Sequence, residues 1–331
     1  MLFRFFILLL LSIPLVSADF TLRKVVDGLS KPWSMSFIDA NQLIITEKSG
    51  ELKMLDLAHK QLLTINHNLD ILVHGQGGLL DVLFHNGYIY VSFSENRGKK
   101  TSSTSVARAK YNPKEMTFKT IFQAQPAIKS GYHFGSRLAI KGPHLFITAG
   151  ERGQGMIAQD ATKHPGSLIR IHLDGTIPTD NPRFINRPKW QPEIFQIGVR
   201  NPQGLAISPF DGHIYMSNHG AKGGDWFGRA EKGGNYGWKI LGWGGTNYSG
   251  TRIGPKWKPG FTKAITYWVP SIAASAIAIY DGDAFPSWRG SALVTALKDK
   301  SVRKLTFNHT ELITETVLFK GTIGSIFFGN I

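Results

Sequence analysis

The pattern that decides the fold is clearest in residues 133–153, HFGSRLAIKGPHLFITAGERG. Two short apolar runs, residues 138–140 and 145–148, flank a Gly-Pro turn, and the second run ends in Thr148. Short apolar runs that are bounded by Gly and Pro are typical of antiparallel strands rather than helices. The stretch therefore predicts a pair of strands joined by a tight turn.

The same unit recurs five times along the chain, and its second run ends each time in a hydroxyl residue. These residues are Thr46, Ser92, Thr148, Ser217 and Thr295, at spacings of 46, 56, 69 and 78 residues. Such spacings suit four-stranded propeller blades joined by loops of growing length. A β-sandwich would space its strands more evenly and more closely. We predict an all-β, six-bladed β-propeller whose last blade is incomplete, because the sequence ends soon after a sixth unit would begin.

The first residues predict an export signal. Residues 1–18 carry one cation, Arg4, followed by an apolar run and a small-residue ending at Ala18, which is the order found in cleaved signal peptides. The apolar run is shorter than the roughly 20 residues that a spanning helix needs. We therefore expect a signal peptide at 1–18, one propeller domain at 19–331, and a periplasmic or secreted protein without stable membrane insertion.

Composition narrows the class of protein further. The chain has no cysteine, so disulfides and thiolate metal sites are excluded, and the core and strand pairing must stabilise the exported protein. The formal net charge is +15, but Lys and Arg are scattered apart from one small cluster at residues 97–100. We therefore expect no nucleic acid partner, although a basic surface suits anionic small molecules.

Polar residues with catalytic potential collect at the ends of the repeated strands. They occupy matching ends of different repeats: Gln76, His133, Glu151, Arg200, Asn201, His219 and Lys298. Each alone has an ordinary structural interpretation, since a loop His is more often solvated than catalytic. Because a propeller brings loops from several blades to one channel mouth, the set together predicts a site there.

Several motifs, in the same order, resemble the quinone-dependent soluble aldose sugar dehydrogenases of the glucose/sorbosone dehydrogenase family. The resemblance extends over roughly residues 20–310. The motifs include GQGGLLD at 75–81, HFGSRL at 133–138, GER at 150–152, GVRNPQGL at 198–205 and GGNYGW at 233–238. The resemblance implies a protein that uses pyrroloquinoline quinone (PQQ) and calcium to oxidise the C1 hydroxyl of an aldose to a lactone, and that passes the electrons to an acceptor.

The resemblance also implies roles for individual residues. His133 matches a general base that takes the hydroxyl proton, and Glu151 matches the carboxylate that orients this imidazole. Arg200 matches a catalytic cation beside the quinone oxygen on which negative charge develops. The other matches are the sugar contact Gln76, the quinone contacts Asn201, Lys298 and Ser271, and calcium ligation by the backbone carbonyls of Gly220 and Ala221.

The sequence departs from the family pattern in the predicted calcium loop, at residue 274 and near the C-terminal end. In the loop, Ala221 stands where the family has Pro and Trp226 stands where it has an acidic residue, and Ala274 also stands where the family has Pro. Thr322 and Gly324 stand where the family has two arginines that clamp the cofactor. Since Thr and Gly cannot replace bidentate arginines, we expect weakened quinone binding and impaired activity.

Two alternative functions stay open from the sequence. A degenerate propeller that keeps a carbohydrate-binding mouth without catalysis would explain the loss of the arginines. A calcium-dependent propeller lactonase would need side-chain carboxylates and Asn converging on the metal. The sequence offers a His–Glu pair and an Arg-Asn pair instead, which disfavours the lactonase.

Overall fold

The computed structural model describes residues 23–321. The predicted signal peptide at 1–18 and the two positions Thr322 and Gly324 lie outside the described residues. Within residues 23–321 the chain consists almost entirely of strands and loops, and no helix in this range is long and apolar enough to cross a membrane.

The regular elements are twenty-one strands, one short helix and two 3-10 turns, all counted within residues 23–321. In chain order the strands are β1 (Pro32–Phe37), β2 (Gln42–Glu47), β3 (Leu52–Asp56), β4 (Gln61–His67), β5 (Leu79–His85), β6 (Tyr88–Asn96), β7 (Ser102–Lys110), β8 (Glu115–Met116), β9 (Lys119–Gln123), β10 (Gly135–Lys141), β11 (His144–Ala149), β12 (Ser167–His172), β13 (Ile194–Ile197), β14 (Pro202–Ile207), β15 (Ile214–Asn218), β16 (Asp225–Arg229), β17 (Thr266–Trp268), β18 (Ala274–Ile279), β19 (Ala292–Ala296), β20 (Ser301–Phe307) and β21 (Leu312–Leu318). The helix is α1 (Pro182–Ile185), and the 3-10 turns are Gly155–Gln159 and Pro286–Trp288.

The strands form five antiparallel four-stranded meanders that follow one another along the chain. They are β1–β4, β5–β7 with β9, β10–β13, β14–β17 and β18–β21. The short strand β8, from the loop between β7 and β9, adds to the outer edge of the first sheet parallel to β4. The five repeats read from the sequence are therefore five sheets, and the prediction of an all-β propeller is confirmed. The six-blade count stays a prediction.

The innermost strands of consecutive sheets pack side by side, β1 on β5, β5 on β10, β10 on β14, and β14 on β18. An apolar core fills each of these four interfaces. One pair from each core is Ile44 with Val82, Leu83 with Ile147, Phe146 with Leu205, and Tyr215 with Ile277. Between β18 and β1 no comparable packing occurs within the range that the structure describes. Because the other innermost strands pack side by side, their starts lie together at one end of the propeller, here called the mouth.

The recurring hydroxyl at the end of each second strand has a structural explanation. All five hydroxyl residues are buried. Four of them donate to a backbone carbonyl in the innermost strand of the next sheet: Thr46 to Leu80 at 2.5 Å, Ser92 to Ser136 at 2.6 Å, Thr148 to Pro202 at 3.3 Å, and Ser217 to Ser275. Thr295, in the fifth sheet, donates to the Ala276 carbonyl of its own sheet at 3.4 Å. The first four bonds, here called the inter-sheet hydroxyl bonds, join neighbouring sheets.

A buried ion pair joins four sheets below the mouth. The Arg137 guanidinium lies 3.1 Å from the Asp81 carboxylate, and both residues are buried. Asp81 also accepts the Ser34 hydroxyl at 2.5 Å, while Arg137 donates to the Gln203 carbonyl at 2.7 Å and covers the Trp33 ring at 4.2 Å. A buried charge is tolerated only when it is paired and hydrogen-bonded, so this network fixes the sheets relative to one another.

Candidate active site

The pairing of β10 with β11 brings His133 and Glu151 together. Gly135 and Ala149 are opposite each other at the mouth end of this pair, so the residues just beyond them are neighbours. Nδ1 of His133 lies 2.5 Å from Oε1 of Glu151. A Cβ at position 150 would lie 2.2 Å from the His133 carbonyl oxygen, so Gly150 is needed for this close approach.

Further hydrogen bonds hold both partners of the His–Glu pair. The second oxygen of Glu151 accepts the Gly155 N–H, and the Glu151 N–H donates to the Arg200 carbonyl at 2.8 Å. The backbone N–H of His133 donates to Oε1 of Gln76 at 2.7 Å. Residues from the second, third and fourth sheets therefore meet at this pair, as the sequence analysis expected.

The electrostatics of the pair suit a general base. Burial lowers the pKa of the His133 imidazole; the hydrogen bond that the imidazole donates to Glu151 opposes this effect, and the positive charges of Arg200 and Arg152 add to it. Burial raises the pKa of the Glu151 carboxyl, but the hydrogen bond and charge of His133 and the Gly155 N–H outweigh it and hold that pKa below its usual value. At neutral pH a neutral imidazole then donates from Nδ1 to a carboxylate, which leaves Nε2 free to accept a proton.

Arg200 and Asn201 directly precede β14, and the Asn218 side chain holds their backbone. Both backbone N–H groups donate to Oδ1 of Asn218, at 3.0 and 2.9 Å. The Arg200 guanidinium is buried, faces the Trp238 ring at 5.4 Å and lies 3.5 Å from the His219 carbonyl oxygen. The structure thus fixes a buried cation in the same mouth as the His–Glu pair.

The Asn201 side chain connects the third and fourth sheets. Its Oδ1 accepts the Gly135 N–H at 3.0 Å and the Gln203 amide at 3.1 Å. Gln76, by contrast, is exposed at the mouth, and its amide nitrogen makes no hydrogen bond to the residues that the structure describes. Asn201 is therefore fixed, whereas the Gln76 amide is available to a ligand.

The predicted calcium loop turns sharply after β15. A Cβ at Gly220 would lie 2.3 Å from the Gly223 carbonyl oxygen, so this turn requires glycine. The buried Asp225 carboxylate accepts the Gly220 N–H at 2.8 Å, the Ser271 hydroxyl at 2.8 Å and the Ala274 N–H at 3.1 Å. Ser271, predicted to contact the quinone, therefore bonds to the loop that is predicted to bind calcium.

The donor set of this loop fits a calcium ion only through backbone oxygens. Within residues 23–321 no three His, Asp or Glu side chains cluster in a way that could hold a metal ion. The Asp225 carboxylate is already occupied by three donors. The carbonyl oxygens of Gly220 and Ala221 are hard ligands of the kind that calcium prefers.

Lys298 differs from the other predicted site residues. Its backbone N–H donates to the Ile272 carbonyl at 3.1 Å, but its side chain is exposed and has no hydrogen bond or ion pair to the described part of the chain. The structure therefore brings Gln76, His133, Glu151, Arg200 and Asn201 together and leaves Lys298 at the edge.

A cleft of about 210 Å³ opens at this mouth between the innermost strands. Its wall combines polar and apolar side chains: Trp33, Lys48, Gln76, Leu80, Phe134, Asn201, Gln203, His219 and Leu297. His219 belongs to the set predicted from the strand ends, whereas Trp33 and Gln203 were not predicted as site residues; Gln203 lies within the motif at 198–205. Nε2 of His219 is buried and has no hydrogen-bond partner among residues 23–321.

Comparisons with known proteins agree with this geometry. The family model for glucose/sorbosone dehydrogenase matches residues 29–326. Aldose sugar dehydrogenase YliI of Escherichia coli (strain K12) is 37% identical over 296 residues, which cover 85% of this chain and 79% of the relative. A crystal structure of a glucose dehydrogenase superposes with a TM-score of 0.88 at 35% identity and covers 92% of both chains.

The PQQ-bound form of aldose sugar dehydrogenase from Streptomyces coelicolor also has this fold. It superposes with a TM-score of 0.77 at 22% identity, over 93% of this chain and 86% of that chain. At that identity the likeness shows the fold alone.

Proposed function

The chain belongs to the glucose/sorbosone dehydrogenase family, and from this premise we propose that it oxidises aldose sugars at C1 to lactones with PQQ and calcium. Sugar oxidation is the activity in the names of its relatives. The observation that carries the proposal is the His133–Glu151 pair, which lies in one mouth with the buried Arg200 cation.

The chemistry of the residues suits removal of a hydride and a proton from an alcohol. When bound, the quinone supplies the two-electron oxidant that accepts the C1 hydride. His133 accepts the C1 hydroxyl proton at Nε2, so that the C1–O bond becomes a carbonyl. Glu151 stabilises the resulting imidazolium, and the exposed Gln76 amide orients the sugar.

The residues at the mouth also suit the cofactors. Arg200 would supply positive charge for the negative charge that develops on reduction of the quinone, and Asn201 and Lys298 would add polar contacts, while Ser271 supports the calcium loop through Asp225. The carbonyls of Gly220 and Ala221 would hold calcium. A net charge of +15 favours a tricarboxylate. The other partners are a small aldose and an electron acceptor, in the periplasm or outside the cell.

The alternatives have less support. A degenerate, purely carbohydrate-binding propeller would have no need for the base, its carboxylate and the cation, yet all three are in place. A lactonase would need side-chain carboxylates around its metal, and the described residues offer no such cluster. The weakened binding expected from Thr322 and Gly324 stays a prediction.

The direct test is an assay of the purified protein with calcium, PQQ, glucose and an artificial acceptor, with the product identified by NMR. We expect glucose-dependent reduction of the acceptor and formation of the lactone only when quinone is present. A matched sample without quinone is the control. Absence of quinone-dependent oxidation across a panel of aldoses would contradict the proposed function.

A further inference from the structure

A second pocket lies beside the catalytic loop and outside the cleft described above. Its volume is about 620 Å³, and its wall includes Lys100, Lys129, Tyr132 and residues 72–74. We call it the lysine pocket. Two of its wall segments lead directly into Gln76 and His133 along the chain, so the pocket adjoins the place where the sugar is expected to bind.

The two loops that separate the pocket from the catalytic residues are tied together. The Gln76 N–H donates to the Gly131 carbonyl at 2.6 Å, and the His133 N–H donates to the Gln76 side chain at 2.7 Å. The Tyr132 and His133 rings are 6.0 Å apart between centroids. A ligand in the lysine pocket would therefore contact Tyr132, the residue that directly precedes the proposed base in the sequence.

A buried arginine holds the backbone of the wall segment at residues 130–132 and of the strand that follows Lys100. Arg152 donates to the carbonyls of Tyr132 at 3.0 Å and Ser102 at 2.9 Å, and also to the Ser130 carbonyl. Its guanidinium lies 3.7 Å from the centroid of the Phe134 ring. Because Arg152 directly follows Glu151, the same segment shapes the pocket and orients the base.

The wall of the lysine pocket has a distinct chemistry. Lys100 and Lys129 are exposed, neither makes an ion pair within the described range, and no wall residue is acidic. The Tyr132 ring is 62% exposed and Val73 is 52% exposed. Unpaired ammonium groups attract a carboxylate or phosphate, while an exposed aromatic face can pack against the C–H face of a sugar ring.

We propose that the lysine pocket is a subsite for a second, negatively charged sugar unit, which makes acidic disaccharides with a free reducing end the preferred substrates. This inference rests on the proposed function, since it concerns the part of the substrate remote from C1. The base acts on the reducing sugar, Tyr132 packs against the second ring, and Lys100 and Lys129 bind its anionic group.

The test compares cellobiose with cellobiouronic acid, which differs by a carboxylate on the second ring. We expect a kcat/KM about ten-fold higher for the acid, equivalent to about 1.4 kcal/mol, from two exposed charge contacts. Replacing both wall lysines (Lys100→Gln with Lys129→Gln) should abolish this preference through KM and leave cellobiose unchanged. The double variant Lys114→Gln with Lys119→Gln, which changes the charge equally away from the pocket, should keep it.

A binding measurement separates the subsite from catalysis. Cellobiouronic acid titrated calorimetrically into quinone-free protein should bind more tightly than cellobiose, and the wall-lysine variant should lose that difference. Equal kcat/KM for the two disaccharides, or a lysine effect on the KM of an anionic acceptor instead, would overturn the subsite while the proposed function stands. Failure to oxidise any sugar would overturn both.

Discussion

The first four sheets and the fifth sheet carry the same repeat but differ in how they are held. In the first four, the hydroxyl at the end of the second strand bonds to the next sheet, whereas in the fifth Thr295 bonds within its own sheet. The site follows the same division. His133 is hydrogen-bonded to Gln76, Glu151 to Arg200 and Asn201 to Gly135, each across sheets. Lys298 of the fifth sheet is exposed and its side chain is unpaired within residues 23–321.

The difference shows which part of the chemistry the fold prepares in advance. The proposed proton removal would use geometry that the packing of the second, third and fourth sheets sets without any ligand. The proposed quinone contact from Lys298 would instead form only when a cofactor binds. Substitutions in the first group should therefore change turnover, and substitutions in the second should change affinity.

The largest effect is expected from His133→Ala. Removing a positioned base should lower turnover by about 10²–10⁴-fold, while quinone affinity changes far less because the proposed role of the imidazole is toward the sugar. Steady-state kinetics at saturating quinone, together with a quinone titration, measures both quantities. Near-unchanged glucose oxidation would remove His133 from the mechanism and erase the distinction between the two regions.

A smaller effect is expected from Glu151→Gln, because the base itself remains. The Glu151 hydrogen bond and charge raise the pKa of His133 against the effect of burial, so their loss should lower that pKa further. Since the base must be unprotonated, activity rises with pH through this pKa, and the acidic limb of the kcat/KM profile should move to lower pH. The plateau should fall roughly 10–100-fold, within the range for acid–base groups. A limb that moves to higher pH would contradict this assignment.

The inter-sheet hydroxyl bonds can be compared by a matched pair of substitutions. Thr46→Val leaves the buried Leu80 carbonyl without its 2.5 Å partner and should lower the free energy of unfolding by about 1–3 kcal/mol. Thr295→Val removes only a 3.4 Å contact within one sheet and should cost less than about 1 kcal/mol. Urea unfolding of both variants gives the comparison, and equal losses would show that the Thr295 hydroxyl stabilises the fold as the others do.

The smallest effect is expected from Lys298→Ala. An exposed ammonium group contributes at most about 1 kcal/mol to an ion pair, so quinone affinity should fall by about five-fold or less. Turnover at saturating quinone should stay unchanged. Fluorescence titration of PQQ measures the affinity. A loss of turnover would instead place Lys298 with the residues that are hydrogen-bonded across sheets, His133, Glu151 and Asn201.

The repeats could be predicted from the sequence alone, and so could the candidate residues His133, Glu151 and Asn201. Strand ends are visible in the apolar pattern, and His133 and Glu151 flank a paired hairpin, so their proximity follows from local structure. Long-range partners could not be predicted in this way. The Thr46 hydroxyl bonds to a residue in another sheet, and Ser271 reaches Asp225 across a long loop. Periodicity reports which side of a strand is buried, not which distant loop covers it.

A crystal structure of the protein with calcium, reduced quinone and glucose tests the central claim most directly. We predict the C1 oxygen of glucose within hydrogen-bond distance of Nε2 of His133, with Nδ1 still hydrogen-bonded to Glu151, and the quinone beside Arg200 and Asn201. Glucose bound away from His133, or a His133 ring turned so that Nε2 faces the protein, would contradict it.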